Sequence, residues 1–161
     1  MTAAPPAAVP PAPRLEFLSR ATIALDPLVV VGATPFGERR IFPIAGGRFE
    51  GERLAGTVLP GGADWQLVAP DGAAELDARY TLRTDDGALV YVQNRGVRHG
   101  PAEVLARLAR GEPVEPSAYY FRTAPRFETG AAPYAWLNRA IAVGSAARLA
   151  RSVVIDFFTV A

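Results

Sequence analysis

The sequence predicts an all-β domain with one short helix, its strands wrapping into a closed or nearly closed antiparallel β-barrel. Three observations predict it. From Leu15 onward, short runs rich in β-branched and aromatic residues alternate with turn signals at close intervals. About ten such runs succeed one another, more than an open sheet holds without curling, and closure leaves no unpaired edge. Only one stretch, GPAEVLARLARGEP, carries a clear helical pattern.

Taken in order, the start MTAAPPAAVPPAPR reads as a flexible Ala/Pro tail over residues 1–13, extended or polyproline in conformation, ahead of one domain over 14–161. Proline recurs through it and no basic segment precedes it, so it does not read as a signal peptide. The strand candidates are LEFLSRATIAL, PLVVVG, RIFPIAGGRFEG, RLAGTVL, DWQLVAP, ELDARYTLRT, ALVYVQNRGVR, AYYFRTAPRFET, AWLNRAIAVGSA and RSVVIDFFTV. ELDARYTLRTDDGALVYVQN is the clearest hairpin, because Asp85-Asp86-Gly87 is a tight-turn signal, which makes the paired aspartates turn chemistry rather than a metal site. Gly46 and Gly47 suit a bulge or a change of strand direction. In the helical stretch, Pro101 fits the first turn, Val104, Leu105 and Leu108 share a side, and Gly111 stops it. That helix is expected to cover an open end or one side of the sheet. WLNRAIAVGSAARLAR allows a helix, yet Gly144-Ser145 cuts the run, and a strand from Trp136 to Val143 is the expectation.

Composition removes several kinds of chemistry. A chain of 161 residues fits one domain, and a domain of this size buries about two-thirds of the surface its unfolded chain exposes. All 17 basic residues are arginines, set against 16 acids. That balance creates no field for nucleic acid or an anionic membrane, so the expected partner is a small molecule or another protein. Without cysteine there are no disulfides, thiolate nucleophiles or thiolate metal sites, and without lysine there is no Schiff base and no Walker A loop. His99 is the single histidine, so one chain cannot build a two-histidine metal site. In RGVRHGP it reads as a polar turn residue ahead of the helix. No run is long enough for a transmembrane helix, and the expectation is a cytoplasmic protein with neither metal nor cofactor.

The candidate site residues come from strand alternation and from one turn. LPGGADWQLVAPDG places two glycines before Asp64 and Trp65; glycines accept φ > 0 and can swing a strand sharply. A carboxylate beside a large aromatic suits a pocket or a core residue with a surface neighbour. ELDARYTLRT puts Asp77, Arg79, Thr81 and Arg83 on one face and Leu76, Ala78, Tyr80 and Leu82 on the other. Either Asp77 and Arg79 pair in solvent or Arg79 enters a cavity as an anion clamp, and from this strand alone the exterior reading leads. In SAYYFRTAPRFETG, Tyr120 and Arg122 share a face that is a ligand wall or an arginine lying across a surface ring. If YAWLNRA is extended, Tyr134, Trp136 and Asn138 share a face.

The blocks GERRIFPIAGGRFEG, GTVLPGGADWQLVAPDG, LDARYTLRTDDGALVYVQNRG, YYFRTAPRFETG and YAWLNRAIAVGSA, in that order, resemble the DUF3237 proteins, also called the UPF0311 family. The resemblance runs from about Leu15 to the C-terminus. It implies a closed or nearly closed barrel similar in shape to the allene oxide cyclase and dirigent barrels, and a homo-oligomer, but no firm activity. The family motif positions it implies are Asp64, Trp65, Arg79, Tyr120, Arg122, Phe127, Thr129, Trp136 and Asn138, with the double-glycine turn aiming Asp64 into the barrel mouth.

On that basis three functions compete. The first is a cofactor-free isomerase, cyclase or lyase acting on a hydrophobic, oxygenated ligand of phenolic, polyketide or terpenoid type. Asp64 would be its acid or base, Arg79 and Arg122 would stabilise an enolate or alkoxide, and Tyr120 and Asn138 would donate hydrogen bonds. Trp65, Phe127 and Trp136 would shape the substrate, beside Thr129. The second is a carrier of lipocalin-like logic, in which an arginine holds Asp64 permanently charged. The third is a structural oligomeric domain with a filled interior.

Overall fold

The computed structural model describes residues 8–161; residues 1–7 of the expected tail lie outside the described residues, and 8–13 are exposed and without regular structure. Ten strands follow: β1 (Leu15–Leu25), β2 (Val29–Thr34), β3 (Gly37–Glu50), β4 (Gly56–Val58), β5 (Ala63–Val68), β6 (Ala74–Thr84), β7 (Leu89–His99), β8 (Tyr120–Glu128), β9 (Ala142–Arg148) and β10 (Ser152–Val160). The helix α1 (Ala102–Ala109) lies between β7 and β8, and 3₁₀ segments occupy Pro116–Ala118 and Ala132–Arg139.

Antiparallel pairing closes these strands into a ring. Starting at β1, the order runs through β10, β9, β8, β7 and β6, and β3 returns to β1 through pairs such as Arg20 with Glu50 and Ala21 with Phe49. Between β6 and β3, β4 and β5 lie in line, each paired with both neighbours, so they fill one position together. β2 continues the line of β1 along β3. The result is a closed antiparallel barrel of eight strand positions. Gly46 and Gly47 sit where the pairing of β1 with β3 shifts by one residue, between Ala24 and Leu25, which is the bulge their sequence predicts.

Alternation decides what the barrel encloses. Leu76, Tyr80 and Leu82 of β6 are buried while Asp77, Arg79 and Arg83 face outward, because the apolar phase of a strand buries itself and the charged phase stays in water. One half of the interior is packed solid. Phe157 stacks on Phe49 at 5.5 Å and meets Phe127 edge-on at 6.0 Å. Val58, Leu82, Val90 and Leu137 complete that layer, all essentially inaccessible. Full burial of each such side chain contributes about 1.5–3 kcal/mol.

The connections place the ends of the barrel. The β6–β7 hairpin turns at Gly87, whose φ of +92° only glycine adopts readily. Beside it Asp85 pairs with Arg48 and Asp86 accepts from Thr84 and Tyr134, so both aspartates serve the turn and its neighbours. Among the described residues no cluster suits a metal ion, and no helix is long and apolar enough to cross a membrane. α1 begins directly after Pro101, with Leu108 buried, and ends before Gly111 at φ +73°.

The expected strand over Trp136–Val143 is corrected. Residues 132–139 form a 3₁₀ segment begun by Pro133, and extended structure starts only at Ala142. Asn138 holds the segment by accepting the Thr129 N–H at 2.8 Å and donating to the Thr129 carbonyl at 2.9 Å, a closed pair of bonds that a strand could not make. Gly144, read as an interruption, belongs inside β9: a side chain there would collide with Thr123 Oγ1 and press on Ile155.

Candidate functional site

The turn before β5 delivers Asp64 to the interior. Gly61 has φ +104° with open space around it, and Gly62 lies so close to the Arg79 carbonyl and to Tyr80 that any β-carbon there would clash with backbone. The strand leaving this turn points Asp64 and Gln66 inward and Trp65 outward. Asp64 Oδ2 accepts a hydrogen bond from Gln66 Nε2 at 2.8 Å, and Oδ1 accepts one from the Asp77 backbone N–H at 3.1 Å. Among the described residues Asp64 has no ion-pair partner in direct contact. Burial raises its pKa above the usual carboxylate range; the two hydrogen bonds and the more distant Arg98 and Arg148 oppose that rise without cancelling it.

Asp64 borders a small inner chamber of about 40 Å³, enclosed by Ile23, Ile44, Tyr80, Asn94, Phe121, Thr123, Ile155 and others. Four of its polar atoms are fully buried without a hydrogen-bond partner among the described residues: Gln66 Oε1, Tyr80 Oη, Asn94 Oδ1 and Thr123 Oγ1. Buried polar atoms are ordinarily satisfied, and a water or a ligand's polar group entering the chamber would meet these four. Through Leu25 and Arg148, which border both, the chamber adjoins a wider cavity of about 700 Å³ under α1. Its walls include Leu25, Phe42, Val68 and Leu105, with Arg40, Arg98 and Arg148 among them. Arg148 lies over the Phe42 ring at 4.5 Å and Arg98 over Phe121 at 5.6 Å. Burial, assisted by Arg148, pushes the Arg98 guanidinium down to about 10, still charged at neutral pH, and burial also lowers Arg148.

Of the predicted site residues, the structure brings Asp64 alone to the inner chamber. Arg79 is corrected: it faces solvent and pairs with Asp77 at 3.1 Å, since its strand phase opposes that of Tyr80 and Leu82. Tyr120 and Arg122 are likewise on the exterior, the guanidinium 5.4 Å above the ring, while Tyr119, Phe121 and Thr123 take the inner phase. Trp65 is 38% exposed on the outer wall. Phe127 is solid core, Thr129 and Asn138 tie the 3₁₀ segment together, and Trp136 lies beneath Arg53 at 4.1 Å. None of these eight borders either cavity. His99 ends β7 rather than forming a turn, and its ring stacks on Tyr120 at 4.8 Å.

Other polar residues that line the chamber and the wider cavity were not assigned to a site from sequence: Gln66, Tyr80, Asn94, Arg98, Thr123 and Arg148. Their signal is a polar side chain in the apolar phase of a strand. On β7, Val90 and Val92 fix the inner phase, and counting onward by two reaches Asn94, Gly96 and Arg98. On β9 the same count from Ala142 reaches Arg148.

Fold and site together define a closed β-barrel with one packed half and one polar, arginine-bearing cavity. The chain belongs to the DUF3237 family, described as proteins of unknown function, which it matches over residues 13–160. It is 51% identical over 146 residues to the UPF0311 protein RPA1785 of Rhodopseudomonas palustris, covering 89% of this chain and 95% of that one. The crystal structure of RPA1785 superposes with a TM-score of 0.89, covering 95% of this chain and all of the other at 47% identity. A β-barrel like protein of Acinetobacter baumannii gives 0.84 at 48% identity, covering 95% and 99% of the two chains. More distantly, the chain is 25% identical over 151 residues to the hydroalkoxylation enzyme phnH of Penicillium herquei, covering 94% of this chain and 86% of that enzyme.

Proposed function

We propose that this barrel is an acid–base catalyst of the isomerase, cyclase or lyase kind, acting without a cofactor on a hydrophobic, oxygenated small molecule. The observation that carries the reading is Asp64: a buried carboxyl bordering a polar chamber, free of a contacting cation, with burial holding its proton to higher pH. A carrier would hold this carboxylate permanently ionised in a direct arginine pair, and its surroundings do the opposite. The fungal relative supports the choice of chemistry. Intramolecular hydroalkoxylation adds an O–H across a carbon–carbon double bond, with no atoms gained or lost. Asp64 would give its proton to one alkene carbon, the substrate oxygen would bond to the other, and the proton released from that oxygen would return to Asp64. Tyr80, which burial keeps a neutral phenol, and Asn94 would hold the substrate's polar end.

Self-association belongs to the same proposal. Among the described residues β2 pairs only with β3 and exposes Val29, Val30 and Val31, an apolar edge that a second copy of the chain would cover.

The test is turnover of ortho-allylphenols and related alkenyl phenols. Asp64→Asn is expected to abolish cyclised product while sparing ligand affinity; equal loss of both contradicts an acid–base role.

A further inference from the structure

The charge balance of the larger cavity is uneven in a way that proton transfer at Asp64 does not require. Arg40 is neutralised in place, since its Nε and Nη2 both bond Glu38, at 3.0 and 3.1 Å. The exposed rim carries one residue of each sign, Asp26 and Arg151. That leaves Arg98 and Arg148 facing one buried acid. Asp64 lines the inner chamber and not this cavity, so counted together the two spaces hold one positive charge in excess with Asp64 ionised and two with it protonated.

Among the described residues neither guanidinium is paired with a carboxylate. Arg98 Nε is fully buried and has no hydrogen-bond partner among the described residues, and Arg98 makes no side-chain bond to any carboxylate. Arg148 uses Nε on the Leu149 carbonyl at 2.8 Å, leaving its two terminal nitrogens without an acceptor among the described residues. Two like charges in one partly desolvated space repel each other, and each has given up hydration. A site of that kind is completed by an anion, whose oxygens can accept from both planar forks. The remaining walls, Leu25, Phe42, Val68 and Leu105, are apolar, so the anion's body is hydrophobic.

We propose that Arg98 and Arg148 form an anion clamp that receives the ligand through an ionised acidic oxygen other than the one that adds to the alkene, a carboxylate or phenolate borne on an apolar body. This deepens the catalytic reading and rests on it only for the identification of the bound molecule as substrate. The clamp orients the ligand from the mouth, so that the far end of the molecule reaches Asp64 in the inner chamber.

Calorimetry with 1-naphthoate and its neutral isostere 1-naphthamide tests the clamp in the intact protein. Wild type is expected to bind naphthoate more tightly by about tenfold or more, the worth of a charge-assisted hydrogen bond. Added salt should weaken naphthoate and leave naphthamide unchanged. Arg98→Met and Arg148→Met should each remove most of the preference, and Arg98→Lys and Arg148→Lys should retain part of it. 4-Nitrophenol distinguishes the two sources, because binding as phenolate strengthens its yellow absorption at a pH where the free molecule is half-ionised. Preference for either anionic oxygen supports the clamp. Equal binding of naphthoate and naphthamide, without a phenolate shift, overturns it, and that wild-type comparison decides the matter even where a variant fails to fold. Asp64→Asn should keep its naphthoate affinity, so failure of the acid–base reading and failure of the clamp are read separately.

Discussion

At the level of single residues, the behaviour of Asp64 has a thermodynamic consequence that can be measured without a substrate. Burial raises its folded-state pKa above the unfolded value, so the folded protein keeps this proton to a higher pH than the unfolded chain does. The sign follows from linkage. The contribution is fully present below the unfolded aspartate pKa of about 4, and it is lost as pH rises through the folded pKa. Asp64→Asn removes that loss, and Gln66 can turn its amide to meet the new donor. The variant is expected to exceed wild type by about 1 kcal/mol in urea denaturation above neutral pH. The difference should shrink as pH falls; a variant less stable than wild type throughout would contradict the assignment. Arg79 supplies the contrast. Its side chain is 46% exposed and ion-paired with Asp77, so Arg79→Ala should change stability by no more than about 0.5 kcal/mol. Ligand binding should not respond to it.

Among the elements, the turn into β5 and the strand β9 carry the sharpest steric demands. A methyl at Gly62 meets the Arg79 backbone, which cannot move without disturbing the β5–β6 pairing. Gly62→Ala is expected to cost about 1–3 kcal/mol, read from thermal or urea unfolding, and to displace Asp64 from the chamber. Gly144→Ala should cost a similar amount, about 1–3 kcal/mol, through Thr123 and Ile155. Wild-type stability in either variant would contradict the close approaches. These two positions also mark how far local pattern carries. The Asp85-Asp86-Gly87 hairpin, α1 and the Pro-Gly-Gly turn were legible because their cues are local: turn angles, caps and the 3.6 period. Gly144 misled because a glycine in a strand reads as a break until Thr123, twenty-one positions earlier in sequence, is known to fill the space. Residues 132–139 misled because their hold is a pair of side-chain bonds from Asn138 to Thr129.

For the molecule as a whole, closure of the barrel was legible in the number and spacing of strands, whereas the site within it was only half so. Alternation sorts a strand into two faces, and the apolar face of β6, with Leu76, Tyr80 and Leu82, already argued that Arg79 lay outside. What alternation could not say is that the barrel is solid around Phe49 and Phe157 and hollow toward α1. For that reason Asn94 and Arg98, in phase with Val90 and Val92, passed as ordinary strand residues. Which polar groups converge depends on strands far apart in sequence arriving at one depth in the barrel, a property of register rather than of local pattern.

The proposal rests on a carboxyl whose pKa burial raises, in a chamber lined by donors and acceptors without partners among the described residues. Carbon-13 NMR titration of the Asp64 carboxyl, assigned by comparison with Asp64→Asn, tests this most directly. The midpoint is expected above the ordinary aspartate range and shifted toward neutrality. A midpoint at or below that range would show a carboxylate held permanently charged, as static recognition requires, and would contradict the acid–base role.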